Sequence, residues 1–222
     1  MRQSPFLVAA CPRSGTKYMA ELLVQLGLDV LHERVGSDGC VSWLHAADLM
    51  TRHYWDHSCG WVEDCEWSLV VHQVRSPIKT VSSLETINAR GWQLIEHAMP
   101  GLEWSDDPWI RRAEFYIRFN EFIESKWNVG FTYRVEDIDN YWSDLCDSLG
   151  LEAAPEAPPP LRRDVHAKAH ANITWGQIEE KSPRIYDALQ GIATRYGYSE
   201  SHLCDSPAGT ATRRECVVNF SV

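Results

Sequence analysis

The chain has 222 residues, a length that suits one large domain and is short for two. Its 31 acidic and 21 basic side chains give a formal net charge of −10, which argues against non-specific nucleic-acid binding, because such binding depends on dense positive charge. Hydrophobic residues make up 44% and charged residues 23%, so whole-chain disorder, collagen and coiled coil are excluded. An anionic ligand would need a local basic pocket on this acidic protein.

The apolar runs and the cysteines indicate a cytoplasmic protein. No stretch approaches the roughly 18 apolar residues of a membrane span, and the short apolar run at residues 5–10 is unlike a secretory signal. The seven scattered cysteines are then expected to be mostly reduced thiols. Cys59, Cys65, His57 and His72 match no common zinc spacing, so we predict no metal site.

Predicted strands and helices alternate along the chain. In order they are a strand at residues 5–10, a helix at 16–26, a short strand at 28–31, a strand at 68–74, a helix from 77 to about 89, a helix at 107–126, a strand at 130–135 and a helix at 138–149. A proline-rich loop at 152–161 precedes helices at 174–180 and 183–196. This alternation predicts an α/β fold with a central, mostly parallel sheet flanked by helices. We expect a single domain over residues 1–198 and a C-terminal tail over 199–222.

The turn after the first strand carries an anion-binding pattern. Gly15 permits close backbone approach, the hydroxyls of Ser14 and Thr16 can donate hydrogen bonds, and Arg13 and Lys17 add positive charge. A helix N-terminus attracts phosphate or sulfate through its unpaired N–H groups. The Gly-Thr-Lys order differs from a Walker A loop. A tight turn capped by Ser14 or Thr16 is the alternative interpretation.

A second pattern follows the strand at residues 68–74. Arg75 ends that strand, and Ser83 lies eight residues later, two turns into the next helix. An arginine offers paired, charge-assisted hydrogen bonds to phosphate. A strand-end arginine in a salt bridge would explain Arg75 alone. In a parallel sheet, however, the carboxyl ends of strands meet at one edge, so we expect both patterns to lie side by side.

Together these patterns resemble PAPS-dependent sulfotransferases over roughly residues 5–150. The run from Arg13 to Tyr18 resembles the family's 5′-phosphosulfate loop, and Arg75 with Ser83 resembles its 3′-phosphate clamp. Residues 133–137, ending in Glu-Asp, resemble a late strand-end segment of the family. The resemblance implies a three-layer, P-loop-like fold, PAPS as the sulfuryl donor with PAP as product, and a small-molecule, carbohydrate or peptide acceptor.

The resemblance also implies roles for individual side chains. Arg13 takes the place of the family's catalytic lysine, and Tyr18 falls where many members stack an aromatic ring on adenine. Lys17 departs from the commoner threonine, so either cation could carry the catalytic role. Arg13, Ser14, Gly15, Thr16, Lys17, Tyr18, Arg75 and Ser83 are the predicted cofactor-binding residues.

The acceptor must lose a proton as it attacks sulfur, so a base is expected nearby. The resemblance implies histidine in some members and glutamate in others. Glu33 is the first candidate and His32 the second, because both follow the second predicted strand; a solvated loop pair is the alternative. His45 is a weaker candidate, and His72 is expected to be a core histidine.

Two further features have less defined roles. Arg162 and Arg163 begin the most basic stretch of the chain, which could cover the 3′-phosphate or be a solvated loop. Ten tryptophans suit either core packing or an aromatic acceptor platform. A small-molecule kinase on a P-loop-like fold and a non-catalytic nucleotide-binding module are the alternative functions.

Overall fold

The structure of the protein is a computed structural model that describes residues 5–47, 66–100, 104–151, 155–160 and 169–198. Within these ranges the strands form one parallel sheet in the order β2-β3-β1-β4-β5. The strands are β1 (Phe6–Ala10), β2 (Val30–His32), β3 (Gly39–Ser42), β4 (Val70–Val74) and β5 (Val129–Arg134). All four strand pairings are parallel. The predicted α/β fold with a parallel sheet is confirmed.

Helices cover both faces of this sheet. They are α1 (Thr16–Gln25), α2 (Trp43–Ala46), α3 (Pro77–Ser83), α4 (Ala89–Ala98), α5 (Pro108–Lys126), α6 (Ile138–Ser148), α7 (Trp175–Lys181) and α8 (Pro183–Arg195). Because successive strand side chains alternate between faces, β1 contributes to two cores. Val8 packs with side chains of α1 and α6, whereas Leu7 packs with side chains of α3, α5 and α8.

The central position of β1 determines where a ligand can bind. β1 pairs with β3 on one side and with β4 on the other, and it is buried throughout its length. The carboxyl ends of these three strands therefore meet at one edge of the sheet. That edge is where open parallel sheets bind ligands.

Two predicted boundaries were wrong. The helix expected from residue 77 to about 89 ends at Ser83, a 3₁₀ turn covers Leu84–Thr86, and α4 begins separately at Ala89. The Asn88 side chain caps α4 by accepting a hydrogen bond from the Gly91 N–H, which favours a new helix start. The sequence also gave no indication of β3, and the second strand begins at Val30 rather than at residue 28.

Several predictions fall outside the described residues: the tail from residue 199, most of the proline-rich loop, the Arg162–Arg163 stretch, and Cys59, Cys65 and His57. Of the helices that are described, none is long and apolar enough to cross a membrane. His72 lies in β4 with its side chain fully buried, and its Nε2 is 3.0 Å from Asn120 Oδ1. It is thus a core histidine, as predicted.

Candidate active site

The loop between β1 and α1 adopts an unusual backbone conformation. Arg13 has φ of 71° and Gly15 has φ of 87°, the left-handed region that non-glycine residues seldom adopt. A Cβ on Gly15 would lie 3.3 Å from the Val135 side chain, so glycine is favoured there on both counts. Within the described chain, no side chain caps the N-terminus of α1. Its first N–H groups are therefore available to an anion.

Two buried polar residues that the sequence did not single out support this loop. Gln73 of β4 donates from Nε2 to the Ser14 carbonyl at 2.6 Å, and the Tyr133 hydroxyl of β5 donates to Gln73 Oε1 at 2.6 Å. Gln73 and Tyr133 are 0% and 1% exposed. Burial raises the pKa of the Tyr133 hydroxyl well above its usual value, so it remains a donor. A glutamine in a buried strand whose other residues are valine and histidine was the available signal.

The two cationic patterns meet at this loop. Arg13 donates from Nε to the Ser83 hydroxyl at 3.1 Å, and Arg75 donates from Nη1 to the Arg13 carbonyl at 2.8 Å. Burial and the positive charge of Arg75 lower the pKa of Arg13. Two neighbouring guanidinium groups repel each other, and an anion placed between them would relieve that repulsion. The predicted juxtaposition of Arg13, Arg75 and Ser83 is therefore present.

A buried hydroxyl in the same loop also lacks a partner. The Ser14 side chain is fully buried, and its Oγ has no hydrogen-bond partner among the residues described. An unsatisfied buried hydroxyl costs free energy, so such a group calls for a ligand or an ordered water. Its position at the N-terminus of α1 fits an anionic ligand with acceptor oxygens.

The segment at residues 133–137 lies beside Arg75. Glu136 accepts a hydrogen bond from the Ser76 N–H at 2.8 Å and another from the Tyr198 hydroxyl at 2.9 Å. Burial lowers the pKa of Arg75, and the negative charge of Glu136 partly offsets this. Glu136 thus accepts a hydrogen bond at the start of α3 and partly offsets the cost of burying the Arg75 charge, a role that sequence spacing alone did not reveal.

The candidate bases face the same loop from β2. His32 Nε2 lies 2.9 Å from Thr16 Oγ1 and 3.4 Å from Glu33 Oε1. Thr16 is the first residue of α1, so this contact brings the candidate base pair to the edge of the sheet that holds the arginines. The His32 side chain is 36% exposed and that of Glu33 is 18% exposed, which makes His32 the more accessible member.

Glu33 is held by the start of α2. Its Oε2 accepts hydrogen bonds from the Ser42 hydroxyl at 2.5 Å and from the Leu44 N–H at 3.3 Å, and its Oε1 accepts from the Trp43 N–H at 3.4 Å. Burial raises the pKa of Glu33 to about 7, against these hydrogen bonds, which lower it. A carboxyl that titrates near neutrality suits proton transfer. Glu33 also has φ of 59°, so its position depends on a strained backbone.

The other predicted residues divide between site and core. Lys17 is exposed on the first turn of α1, and Tyr18 is half-buried against the core formed by α1 and α6. His45 is buried in α2, where its ring packs edge-on against Trp67 at 5.6 Å. Among the described residues, six tryptophans pack half-buried against the other core: Trp43, Trp67, Trp92, Trp104, Trp109 and Trp127.

Comparisons of the chain with protein-family models, with curated proteins and with solved structures find no match. Function must therefore be inferred from the geometry of the site. That geometry combines a helix N-terminus, two arginines and a serine hydroxyl with a His-Glu pair held beside them.

Proposed function

We propose that the protein is a sulfotransferase that transfers the sulfuryl group of PAPS to a hydroxyl or amine of an acceptor. The observation that carries the proposal is the convergence of both cationic patterns, in which Arg13 contacts Ser83 and Arg75 contacts the Arg13 backbone. Arg13 and Ser83 are 70 residues apart in sequence, and Arg13 and Arg75 are 62 residues apart. Their convergence at the N-terminus of α1 supports the proposal, because it concentrates positive charge where the phosphosulfate and the 3′-phosphate would bind.

The residues of the loop would hold the 5′-phosphosulfate. The N–H groups at the start of α1 and the buried Ser14 hydroxyl would donate to its oxygens. Arg13 would offset negative charge on the bridging oxygen as the bond to sulfur breaks; placed charge of this kind is usually the largest catalytic contribution. Lys17 remains the second candidate for this role.

Arg75 and Ser83 would hold the 3′-phosphate. Among the described residues, the guanidinium of Arg75 donates one hydrogen bond, to the Arg13 carbonyl, so its other N–H groups remain available to a ligand. The Ser83 hydroxyl accepts from Arg13 and retains its own proton for donation. These two residues would favour PAPS over ATP, which has no 3′-phosphate.

The chemical step needs a proton acceptor. PAPS supplies the activated sulfuryl group; the acceptor oxygen or nitrogen forms a bond to sulfur while the bond from sulfur to the 5′-phosphate oxygen breaks. The acceptor proton passes to Glu33 or to His32, and the electron pair leaves with PAP. The contact between His32 and Thr16 supports this placement, because it locates the base pair against the phosphosulfate loop.

A ligand panel tests the proposal against its alternatives. Thermal unfolding is measured with PAP, PAPS, ATP and ADP, for the natural chain, for Arg75→Ala and for Arg118→Ala. Arg118 is an exposed α5 residue paired with Glu121, so its variant controls for loss of a positive charge. We expect PAP to stabilise the natural chain by about 2.7 kcal/mol at roughly 100 times its Kd, and Arg75→Ala alone to lose that effect.

The same panel identifies the alternatives. Stabilisation by ATP rather than by PAP would refute the sulfotransferase and favour a kinase. Stabilisation by PAP without sulfuryl transfer to any phenol, sugar or tyrosine peptide offered would favour a non-catalytic module. No stabilisation by any of the four nucleotides would refute a nucleotide site altogether.

A further inference from the structure

Ser42 occupies a junction between the sheet and the candidate base. It is fully buried at the carboxyl end of β3, where it pairs with Ala9 of β1, and it caps the N-terminus of α2. Its Oγ accepts a hydrogen bond from the His45 N–H at 3.0 Å and lies 2.5 Å from Glu33 Oε2. When Glu33 is ionised it only accepts, so the Ser42 hydroxyl then donates to it.

This contact fixes which way the carboxylate of Glu33 faces. Oε2 is occupied by Ser42 and the Leu44 N–H, so Oε1 is the oxygen turned toward His32, 3.4 Å from its Nε2. His32 in turn contacts Thr16 of α1. A continuous set of contacts therefore runs from the end of β3 through Glu33 and His32 to the phosphosulfate loop.

We propose that Ser42 is a positioning residue, which holds the Glu33 carboxylate toward His32 and thereby tunes the pH at which this pair takes up a proton. The effect of Ser42 on catalysis rests on the proposed function, whereas the hydrogen bond between Ser42 and Glu33 does not. The Thr16 hydroxyl of α1 contacts His32. The backbone N–H groups of Trp43 and Leu44, in α2, donate to Glu33. His45 of α2 is a titratable residue whose backbone N–H donates to Ser42 Oγ.

The first test reads the protonation of Glu33 directly and needs no nucleotide. The carboxyl ¹³C shift of Glu33 is titrated in the natural chain, in Ser42→Ala and in Ser182→Ala, with Glu33→Gln used to assign the signal. Ser182 is a matched control, because it caps α8 by accepting from the Ile185 N–H and has the same helix-capping role. Since the Ser42 hydroxyl lowers the pKa of Glu33, Ser42→Ala should raise it by about one pH unit. Ser182→Ala should not move it.

The second test uses activity and identifies the base. In Ser42→Ala the acidic limb of the kcat profile should move to higher pH if Glu33 is the base, since Glu33 then loses its proton later. It should move to lower pH if His32 is the base, because protonated His32 loses part of its anionic partner. Either movement supports the positioning role of Ser42.

Two results would overturn the proposal. One is a Glu33 titration in Ser42→Ala that matches the natural chain; the other is an equal change in Ser182→Ala, which would show a general effect of losing a helix cap. The proposed function fails on different grounds, namely absence of PAP binding and of sulfuryl transfer in the natural chain. The ¹³C titration is interpretable in either case.

Discussion

Replacing Glu33 with glutamine should stabilise the fold in alkaline solution and have little effect in acid. Burial raises the pKa of Glu33 from 4.5 to about 7, so the folded state holds this proton more tightly than the unfolded chain does. Stability from this group is therefore fully present below about pH 4.5 and is lost as the pH rises through about 7. The difference corresponds to about 3 kcal/mol, at roughly 1.4 kcal/mol per pH unit.

Glutamine removes this titration while keeping the size of the side chain. Its carbonyl oxygen can still accept from Ser42 and from the Leu44 N–H, the two contacts that Glu33 Oε2 makes. At about pH 8 the variant should be more stable than the natural chain by up to about 3 kcal/mol, and near pH 4.5 the gain should disappear. Lost attraction to His32 would reduce this gain.

Urea denaturation at the two pH values measures the effect, with unchanged m-values required for a direct comparison. Glu121→Gln is the control, because Glu121 is an exposed carboxylate of α5 with a side chain 43% exposed and its removal changes the net charge equally. A gain in Glu33→Gln that is the same at both pH values would refute the burial effect. It would also remove the reason for placing a near-neutral carboxyl at this site.

Three other perturbations test separate parts of the structure. Arg75→Ala should weaken binding of PAP more than binding of adenosine 5′-phosphosulfate by calorimetry, because Arg75 also supports the loop through the Arg13 carbonyl; losses of equal size would contradict a 3′-phosphate role. Arg13→Ala should lower kcat roughly a hundredfold, about 3 kcal/mol in the barrier, and more than Lys17→Ala does; an unchanged kcat would contradict the assignment. Burial lowers the pKa of His72 from 6.5 to about 4, so its contribution to stability is present above about 6.5 and lost as the pH falls through 4. His72→Gln should lose less stability than the natural chain as the pH falls through this range in urea titrations, and an identical pH dependence in the two proteins would contradict the effect.

The parts of the fold that were predictable are those in which a local pattern and the tertiary environment agree. β1 is a continuous apolar run and β4 is rich in valine, and both are buried along their whole length, as expected of strands covered on both faces. The helix after β1 has apolar residues three and four apart, and Met19, Leu22 and Leu23 are fully buried. The meeting of Arg13 with Arg75 also followed from topology alone, because parallel neighbouring strands end at one edge of the sheet.

β3 was not predictable because its strand character comes from its neighbours. The segment Gly39–Ser42 has four residues and begins with glycine, which disfavours a strand. In the fold it pairs with β1 on one side and β2 on the other. Ser42, and with it the anchoring of Glu33, consequently stayed outside the predicted site.

Residue spacing also could not predict the orientation of the side chains at the site. Arg13 and Glu33 both have positive φ, and neither residue type signals a left-handed backbone. These conformations depend on two tertiary hydrogen bonds. Arg75 donates to the Arg13 carbonyl, and the Ser42 hydroxyl bonds to the Glu33 carboxylate. Residue spacing predicts that Arg13 and Glu33 lie at this edge of the sheet. It does not predict which way their side chains point.

The charge arrangement explains how a protein with a net charge of −10 could accept a polyanion. Glu136, the carboxylate that interacts with Arg75, already accepts hydrogen bonds from the Ser76 N–H and the Tyr198 hydroxyl. Its negative charge partly offsets the cost of burying the Arg75 guanidinium, while these two donors already use part of its hydrogen-bonding capacity. At short range two guanidinium groups and a helix N-terminus then outweigh a surface field that ionic strength screens within about 10 Å. The proposed affinity for an anion at this edge would therefore come from the local geometry, in which Arg75 donates a hydrogen bond to the backbone carbonyl of Arg13.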